Sequence, residues 1–336
     1  MNKASLGGTG RRAWSAWRLL LGALALGLAG CGDAPKAPLA LGMNPWVGFD
    51  PLVLARDRGL VDGRHVKVVE LTSGTEVQRA LNNGLLDAAA MTLDETMRLL
   101  DAGTDVRIVA LLDASDGADV VVARPGIDTV AQLRGEFVAV EDSSVGALLL
   151  QRMLQRAGMT RRDIKVVNME SNGHLAALRE GRVAAAVSYA PISGPLIEAG
   201  YKPVFSSREI QGEIVDVLVV RSDLLAERPD AVDALLRSWA AGLQAFQADP
   251  VGASAALARG TDLEPDQYRT LLAELQFVPL RESLLQLAGP GIEIEARAQA
   301  VGSALMDMGA IQRMPLLREI VDTGPLQRVL AEEDRP

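Results

Sequence analysis

Short apolar runs alternate with segments of helical spacing from Leu39 onwards, and this alternation restricts the chain to a few architectures. The first series of strands is predicted at Leu39–Met43, Val66–Leu71, Ala88–Met91, Val106–Leu112 and Val120–Ala123. Short strands separated by helices of about ten residues are typical of βαβ units. The sequence therefore predicts an α/β fold with mainly parallel sheets.

A second series of strands follows, and the order of the two series predicts two lobes. Its strands are predicted at Phe137–Val140, Lys165–Asn168, Val183–Val187, Lys202–Phe205 and Ile214–Arg221. From Asp223 onwards the chain is almost wholly helical, with Pro265–Leu275 as one of its helices. We expect lobe one at residues 39–122 and 218–336, lobe two at residues 123–217, and a hinge made by the two crossings. A small ligand would bind in the cleft between the lobes.

The N-terminal residues have the features of an export signal. Four basic residues, Lys3, Arg11, Arg12 and Arg18, precede an apolar run, Leu19–Ala29, which is too short for a membrane span of about 20 residues. The run ends in Leu28-Ala29-Gly30-Cys31, which resembles the lipobox of bacterial lipoproteins, whose cysteine is acylated. We expect a lipoprotein signal peptide at residues 1–30, a lipid anchor on Cys31 and a polar tether at residues 31–38. The alternative is an ordinary cleaved signal with an incidental cysteine.

Charge and cysteine content narrow the possible partners. The formal net charge is −9, and removing the predicted leader lowers it by four because the leader holds four basic and no acidic residues. Such an acidic chain is a poor candidate for nucleic acid binding. Cys31 is the only cysteine, so the chain has no internal disulfide and no thiolate metal site. We expect no cofactor and no metal, and membrane attachment through the lipid alone.

The loop Asn44–Leu52, between the first strand and the next helix, is the first candidate ligand surface. In open α/β folds, ligands bind at the carboxyl ends of the strands. Asn44, Trp46, Gly48 and Phe49 are therefore candidate ligand-binding residues, and the two aromatic rings could stack on a flat or apolar ligand. The alternative is that Trp46 and Phe49 cap the core.

Polar residues at the ends of later strands are the other candidates. Thr72, Ser73 and Gly74 open a predicted helix, whose backbone N–H groups could receive an oxyanion or a carbonyl group. The remaining candidates from the two lobes are Thr92, Asp94, Asp119, Asp142, Ser143, Ser144, Gly146 and Tyr189. Each serine or threonine could equally be only a helix N-cap, and the two aspartates Asp94 and Asp119 could be surface or capping charges.

These passages, in this order, resemble the substrate-binding proteins of bacterial ABC importers of the nitrate, sulfonate, taurine and thiamine-pyrimidine-precursor type. The resemblance runs from about Leu39 to Phe246 and rests on Asn44–Leu52, Leu71–Glu76, Ala80–Ala89, Ser115–Asp119, Leu133–Gly135, Glu141–Gly146 and Gly181–Ala186. It implies the two-lobed periplasmic binding protein fold of type II, with a helical C-terminal part. It also implies a monomer at the periplasmic face of the membrane, a small-molecule solute, and an ABC permease with its ATPase as partners.

The sequence offers little support for an enzyme. His65 and His174 are the only histidines, and we expect both to be solvated and away from the cleft. There is no Gly-rich phosphate loop and no GxSxG motif, and related fungal enzymes of thiamine-pyrimidine synthesis need a histidine and a cysteine cluster that the chain lacks. No catalytic residue is predicted. A ligand-sensing lipoprotein and, less favoured, a thiamine-pyrimidine-related enzyme are the alternatives to a transport protein.

The charge of the ligand follows from the residues near the predicted cleft. The loops contain acidic residues and no lysine or arginine: Asp50, Asp94, Glu95, Asp116, Asp119, Glu141, Asp142, Glu213 and Asp216. A doubly charged anion would be poorly stabilised there. We expect a zwitterion such as an aminosulfonate, or a neutral-to-cationic heterocycle, rather than nitrate or sulfate.

Overall fold

The structure, a computed structural model, describes Met1, residues 36–288 and residues 293–335. The predicted signal peptide, Cys31 and most of the tether lie outside the described residues. Within the described ranges, no helix combines the length and the apolar character needed to cross a membrane. The described residues from Pro38 onwards form one compact unit.

The first sheet, sheet 1, has six strands in the order β11-β4-β10-β3-β1-β2. Its strands are β1 (Leu39–Met43), β2 (Val66–Glu70), β3 (Ala88–Thr92), β4 (Val106–Ser115), β10 (Val215–Arg221) and β11 (Leu275–Phe277). Strand β1 pairs in parallel with β2 and β3, whereas β10 is antiparallel to both β3 and β4. The buried apolar residues of these strands form the centre of the larger core.

The second sheet, sheet 2, has five strands in the order β7-β6-β8-β5-β9. Its strands are β5 (Asp119–Ala123), β6 (Phe137–Val140), β7 (Lys165–Asn168), β8 (Ala185–Tyr189) and β9 (Lys202–Ser206). Strand β6 is parallel to β7 and β8, and β5 is antiparallel to β8 and β9. The prediction of mainly parallel sheets is therefore wrong. The two strands that follow a crossing between the sheets, β5 in sheet 2 and β10 in sheet 1, are antiparallel to their neighbours.

Helices cover both sheets, and we call the elements around sheet 1 lobe 1 and those around sheet 2 lobe 2. The helices of the first two-thirds of the chain are α1 (Asp50–Asp57), α2 (Gly74–Asn82), α3 (Leu93–Asp101), α4 (Gly146–Arg156), α5 (His174–Arg179), α6 (Ser193–Glu198) and α7 (Ser222–Glu227). The C-terminal helices are α8 (Pro229–Ala248), α9 (Pro250–Ala258), α10 (Pro265–Leu272), α11 (Leu280–Ala288), α12 (Glu293–Asp307), α13 (Leu317–Ile320) and α14 (Gly324–Glu333). The predicted helix Pro265–Leu275 is too long, because Leu275 already pairs with Ser115 in sheet 1.

The chain crosses between the sheets twice, at residues 116–118 and residues 211–214. The crossings lie side by side: the backbone N–H of Ser115 donates to the Ile214 carbonyl at 3.1 Å, and the N–H of Gly117 donates to Ser207 Oγ at 2.7 Å. Two adjacent crossings are the geometry of a hinge. The lobe boundaries at residues 122/123 and 217/218 stay predictions.

The C-terminal helices pack mainly on lobe 1. Helix α8 lies on α1, and a Cβ at Gly242 would come within 1.7 Å of the Pro51 carbonyl oxygen, so a residue larger than glycine would separate the two helices. Helix α14 is tied to α8 by the Arg328–Asp233 ion pair at 2.7 Å. Helix α12 contacts α3 of lobe 1 and α4 of lobe 2, where Arg152 Nη2 donates to the Ala300 carbonyl at 3.1 Å. This helix therefore braces the lobes beside the hinge.

Candidate cleft between the two lobes

A small cavity of about 20 Å³ lies where the strand ends of the two lobes meet. Eleven residues line it: Asn44, Trp46, Phe49, Thr92, Glu95, Asp119, Ser144, Val145, Tyr189, Ile214 and Asp216. Seven of them are sequence-predicted site residues, namely Asn44, Trp46, Phe49, Thr92, Asp119, Ser144 and Tyr189. Loops far apart in the chain thus converge here, whereas the role of each residue in ligand binding stays a prediction.

The loop after β1 is folded into a short 3-10 helix, Val47–Phe49, that presents Trp46 to the cavity. Trp46 is buried, and its indole Nε1 donates to Asp216 Oδ2 at 2.8 Å. Its ring meets the Tyr189 ring edge-to-face, with 5.9 Å between the ring centroids. A Cβ at Gly48 would lie 2.1 Å from Trp46 Nε1 and 2.4 Å from Asp113 Oδ2. Glycine at position 48 is therefore required for this arrangement of the indole and the two carboxylates.

Three buried carboxyl groups, those of Glu95, Asp119 and Asp216, line the cavity, and Asp113 is the neighbour of Asp216 outside the wall. Asp113 on β4 and Asp216 on β10 are paired in the register of sheet 1, and Asp119 begins β5. Burial raises the pKa of Asp113 and of Asp119 to about 7 each. Burial, together with the charge of Asp113, raises the pKa of Asp216 well above its ordinary value. Because the two carboxyl groups interact, Asp113 and Asp216 titrate as a pair, and burial favours the protonated form of that pair.

Glu95 adds a further acidic group from helix α3. Thr92 is the N-cap of that helix and forms a capping box with Glu95, while the Thr92 hydroxyl donates to Asp94 Oδ1 at 2.7 Å. Burial raises the pKa of Glu95 to about 7, with the charge of Asp94 as the second cause. Asp94 itself is buried, pairs with Arg98 at 3.5 Å and is absent from the cavity wall.

Direct hydrogen bonds join the two lobes around the cavity. The backbone N–H of Thr75 in α2 donates to Glu141 Oε1 at 2.8 Å, and the Thr75 hydroxyl donates to the same oxygen at 2.5 Å. Thr75 Oγ1 and Ser143 Oγ share a hydrogen bond of 2.6 Å, and Gln78 Nε2 donates to the Ser143 carbonyl at 2.9 Å. The conformation is therefore closed, with the lobes in direct contact.

Further contacts between the lobes lie closer to the cavity itself. The Ser144 hydroxyl donates to Glu95 Oε1, and Asn44 Nδ2 donates to the Tyr189 hydroxyl at 3.3 Å. Tyr189 also shares a hydrogen bond of 3.0 Å with Ser171 Oγ, and burial raises its pKa above the ordinary value. The side chains that line the cavity are thus held in place from both sides.

Several predicted site residues lie away from the cavity. Thr72 is exposed, and Ser73 is the N-cap of α2, accepting from the Glu76 N–H at 3.3 Å. Gly74 packs near Ser144, since a Cβ there would lie 2.8 Å from Ser144 Oγ. Asp142 forms an ion pair with Arg161 at 2.9 Å. Ser143 reaches Thr75 but not the cavity, and Gly146 begins α4. Gly48 backs the indole rather than lining the cavity.

The prediction of a solvated His174 is wrong. The side chain is fully buried, and burial lowers its pKa to about 4, so the imidazole is neutral. A 3-10 turn, Ser171–Gly173, precedes α5 and places the first residue of that helix against the core of lobe 2. His174 does not line the cavity, and His65 lies in the turn immediately before β2 in a half-buried position.

The predicted ligand-binding residues do not include four that line the cavity, Glu95, Val145, Ile214 and Asp216, or two beside it, Asp113 and Thr75. Asp113 follows the long apolar run of β4, and a carboxylate after such a run is a signal that the sequence carries. Thr75 follows Gly74 inside the first turn of α2, one residue beyond the predicted set. In the described part of the chain, no group of three or more His, Cys, Asp or Glu residues is placed to hold a metal ion.

Two α/β lobes, two adjacent crossings and a polar cleft between the lobes are the features of a periplasmic binding protein fold. More specifically, the chain belongs to the NMT1-like family, which matches residues 32–258, more than half of the chain.

Comparisons with individual proteins agree with this classification. The solved structure of the alkanesulfonate-binding protein SsuA from Xanthomonas axonopodis pv. citri, bound to MOPS, superposes with a TM-score of 0.73 at 20% identity, covering 86% of this chain and 99% of that one. The taurine-binding periplasmic protein of Escherichia coli (strain K12) is 27% identical over 184 residues, 53% of this chain and 56% of that protein. The desulfurization enzyme DszB shares the fold with a TM-score of 0.63 at 15% identity, covering 89% of this chain and 100% of that one. The chain spans 65% or less of the length of the curated relatives it matches.

Proposed function

We propose that this protein is the solute-binding component of an ABC importer. It is exported, held at the periplasmic face of a bacterial membrane by a lipid on Cys31, and delivers a small organic solute to a permease. The observation that carries the proposal is the polar and aromatic cavity enclosed by direct contacts between two lobes. Membership of the NMT1-like family and similarity to taurine- and alkanesulfonate-binding proteins support it.

Capture of a solute requires the lobes to open. Ligand sites of drug-sized molecules have volumes of about 300–1,000 Å³, far larger than the 20 Å³ enclosed here. The solute therefore enters an open form, and contacts to both lobes then favour the closed form by population shift. Trp46, Asn44 and Thr92 contribute from lobe 1, and Tyr189 and Ser144 from lobe 2.

Binding without turnover is the chemistry that suits these residues. Both histidines lie outside the cavity wall, and the wall contains no cysteine and no lysine. Because DszB shows that the same fold can hold an enzyme, the enzyme alternative is tested directly. The protein is incubated with a bound solute, and mass spectrometry then searches for a product. Recovery of the unchanged solute supports a binding protein, whereas a product would establish an enzyme.

Uptake by cells distinguishes transport from sensing. Deletion of the gene should abolish import of the radiolabelled solute, and the wild-type gene should restore it. A Trp46→Ala gene should restore less, and an Asp223→Asn gene, altered on the exposed surface, should restore import fully. Normal import in the deletion strain, accompanied by a lost transcriptional response to the solute, would favour a sensing lipoprotein.

The class of solute is first narrowed by charge. The cavity wall carries carboxylates and aromatic rings, which suits an aminosulfonate-like zwitterion or a neutral-to-cationic heterocycle better than a simple inorganic anion. A thermal-shift screen with nitrate, sulfate, taurine and small heterocyclic amines tests this. Stabilisation by the inorganic anions alone would contradict it.

A further inference from the structure

The N-terminus of α2 already holds an anion, and that anion belongs to the protein. The first-turn N–H groups of a helix carry partial positive charge and attract negative groups. Here Glu141, from the opposite lobe, accepts from the Thr75 N–H at 2.8 Å and from the Thr75 hydroxyl at 2.5 Å. Glu141 is itself buried. A negatively charged ligand would have to displace this carboxylate to reach the helix.

The rest of the cavity wall has unsatisfied negative groups. Asp119 Oδ2 and Asp216 Oδ1 are buried and accept no hydrogen bond from any residue that the structure describes, and the same holds for Glu141 Oε2. Asp119 and Asp216 both line the cavity, together with Glu95. No arginine or lysine is among the lining residues, and Arg98 of α3, whose Nε lies 3.5 Å from Asp94 Oδ2, lines a different pocket. A donor that carries positive charge would satisfy these acceptors once the carboxyl groups have lost their protons.

The size of the cavity selects the shape of that donor. A volume of 20 Å³ accommodates a group about as large as a water molecule, which matches a primary ammonium head but not a trimethylated one. A second cavity of 470 Å³ adjoins the first at Asn44 and Trp46, which line both cavities. Its wall combines apolar residues such as Pro45 and Leu257 with charged residues in which acids outnumber bases: Asp50, Arg56, Asp57, Glu70 and Arg259. This outer cavity has room for the remainder of a ligand whose head lies inside.

We infer that the solute is a primary organic amine without an anionic group, whose ammonium head is bound by Asp119 and Asp216 while its tail passes Trp46 into the outer cavity. Glu141 takes the place of the anionic group that the α2 N-terminus would otherwise bind. This inference deepens the proposed function and rests on it. Of the solute classes that suit the charge of the cavity wall, it keeps the cationic amines and excludes the aminosulfonates, because Glu141 already occupies the N-terminus of α2. In the solute-free protein, protons bound to the buried carboxyl groups reduce the repulsion between these groups. Binding of the ammonium head releases those protons.

Matched probes that share a tail and differ only in the head test the inference. Binding of benzylamine, benzyl alcohol, benzyltrimethylammonium and phenylmethanesulfonate is measured by calorimetry at constant ionic strength. Taurine and the four corresponding compounds with a butyl tail in place of the benzyl tail are measured in parallel. We expect the amines to bind at least tenfold more tightly than the alcohols and the trimethylated cations. We expect the sulfonates and taurine not to bind.

Variants of Asp119, Asp216 and Glu141 test whether these residues determine which head group binds. Asp119→Asn and Asp216→Asn should each weaken amine binding at least tenfold, and Asp223→Asn on the exposed surface should bind like the wild type. Glu141→Ala frees the α2 N-terminus and should gain measurable binding of phenylmethanesulfonate. Glu141→Gln, which keeps an acceptor near Thr75, should gain none. Thermal unfolding of each variant verifies its fold, and Asp119→Asn suffices if Asp216→Asn does not fold.

The outcomes separate this inference from the proposed function. Amine binding that is lost in the two aspartate variants supports the inference. Tighter binding of the sulfonates or of taurine by the wild type overturns it and leaves the solute-binding function intact. Failure of every amine to bind also overturns it. Failure of every probe, together with no molecule co-purifying with the protein, counts against the proposed function as well.

Discussion

Glu141 of lobe 2 binds Thr75 of lobe 1 at the start of α2 and so connects the two lobes directly. Glu141 Oε1 accepts from the Thr75 N–H at 2.8 Å and from the Thr75 hydroxyl at 2.5 Å. Removing the hydroxyl should shift the protein towards its open form. A hydrogen bond to a charged group is worth about 1.5–3 kcal/mol. Thr75→Val should therefore speed hydrogen exchange at the backbone N–H of position 75 and increase the radius of gyration measured by X-ray scattering.

The control for this prediction is Thr270→Val, whose hydroxyl donates only within α10, to the Asp266 carbonyl at 3.0 Å. It should leave the scattering curve unchanged. A Thr75→Val protein that scatters like the wild type would mean that this contact does not hold the lobes together.

Gly48→Ala should disorganise the cavity wall. The added Cβ would lie 2.1 Å from Trp46 Nε1 and 2.4 Å from Asp113 Oδ2, so the indole or the carboxylate must move. We expect a lower unfolding midpoint and solute affinity reduced at least tenfold, measured by thermal unfolding and calorimetry. Gly63→Ala is the matched control, because no atom lies within 4 Å of a Cβ at that position. Equal behaviour of the two variants would contradict the described geometry.

Stability should decrease as the pH rises from about 4 to 7. Burial raises the pKa of Asp113, Asp119 and Glu95 to about 7, and it raises that of Asp216 as well. At these four carboxyl groups the folded protein holds protons that the unfolded chain has released, whereas buried His174 acts in the opposite direction because its pKa is lowered to about 4. The four carboxyl groups outweigh the single histidine, so the free energy of unfolding falls with pH. Urea unfolding without solute should give a value at least about 1 kcal/mol lower at pH 8 than at pH 5.

The same experiment on Asp216→Asn should give a smaller pH dependence, since one raised carboxyl group is gone. Asp223→Asn should retain the wild-type dependence. A free energy of unfolding that rises from pH 5 to pH 8 in the wild type would show that the cavity carboxylates are not protonated in the folded state.

Trp46→Ala should weaken solute binding by about 1–3 kcal/mol, because an aromatic wall and the indole donor to Asp216 are both lost. Trp239→Phe is the control. Trp239 is fully buried in lobe 1 and donates to the Val278 carbonyl at 3.2 Å, so its replacement should lower stability without changing affinity. Unchanged affinity of Trp46→Ala by calorimetry would remove Trp46 from the site.

The lipid anchor is tested at Cys31, which lies outside the described residues. Cys31→Ser should abolish incorporation of radiolabelled palmitate and move the protein from the membrane fraction to the periplasmic extract. Continued membrane association of the variant would argue for an ordinary cleaved signal and another means of attachment.

The sequence predicted the fold better than it predicted the site. Strand positions such as Leu39–Met43 and Phe137–Val140 agree with the structure because a buried strand leaves a continuous apolar run. The antiparallel direction of β5 and β10 could not be predicted from the sequence, because an apolar run does not indicate whether the strand beside it is parallel or antiparallel. Strand β11 has only three residues, too few for any periodicity.

Some residues of the site could be predicted from the sequence, and others could not. Trp46 and Tyr189 could be predicted because each lies at the end of a recognisable strand. The contact between Thr75 and Glu141 joins positions 66 apart in different lobes, and no local pattern reports it. The burial of His174 depends on how a single 3-10 turn orients a short helix, which composition does not determine. Asp113 is detectable in principle, because it is the carboxylate that follows the apolar run of β4.

Mass spectrometry of the molecule that co-purifies with the protein tests the central claim most directly. The full chain is expressed in a bacterial host, purified without denaturation, and released solutes from the wild type are compared with those from Asp216→Asn. We predict a small primary amine without a sulfonate, phosphate or carboxylate group, present with the wild type and absent from the variant. A sulfonate or another anion, recovered equally from both proteins, would contradict the account.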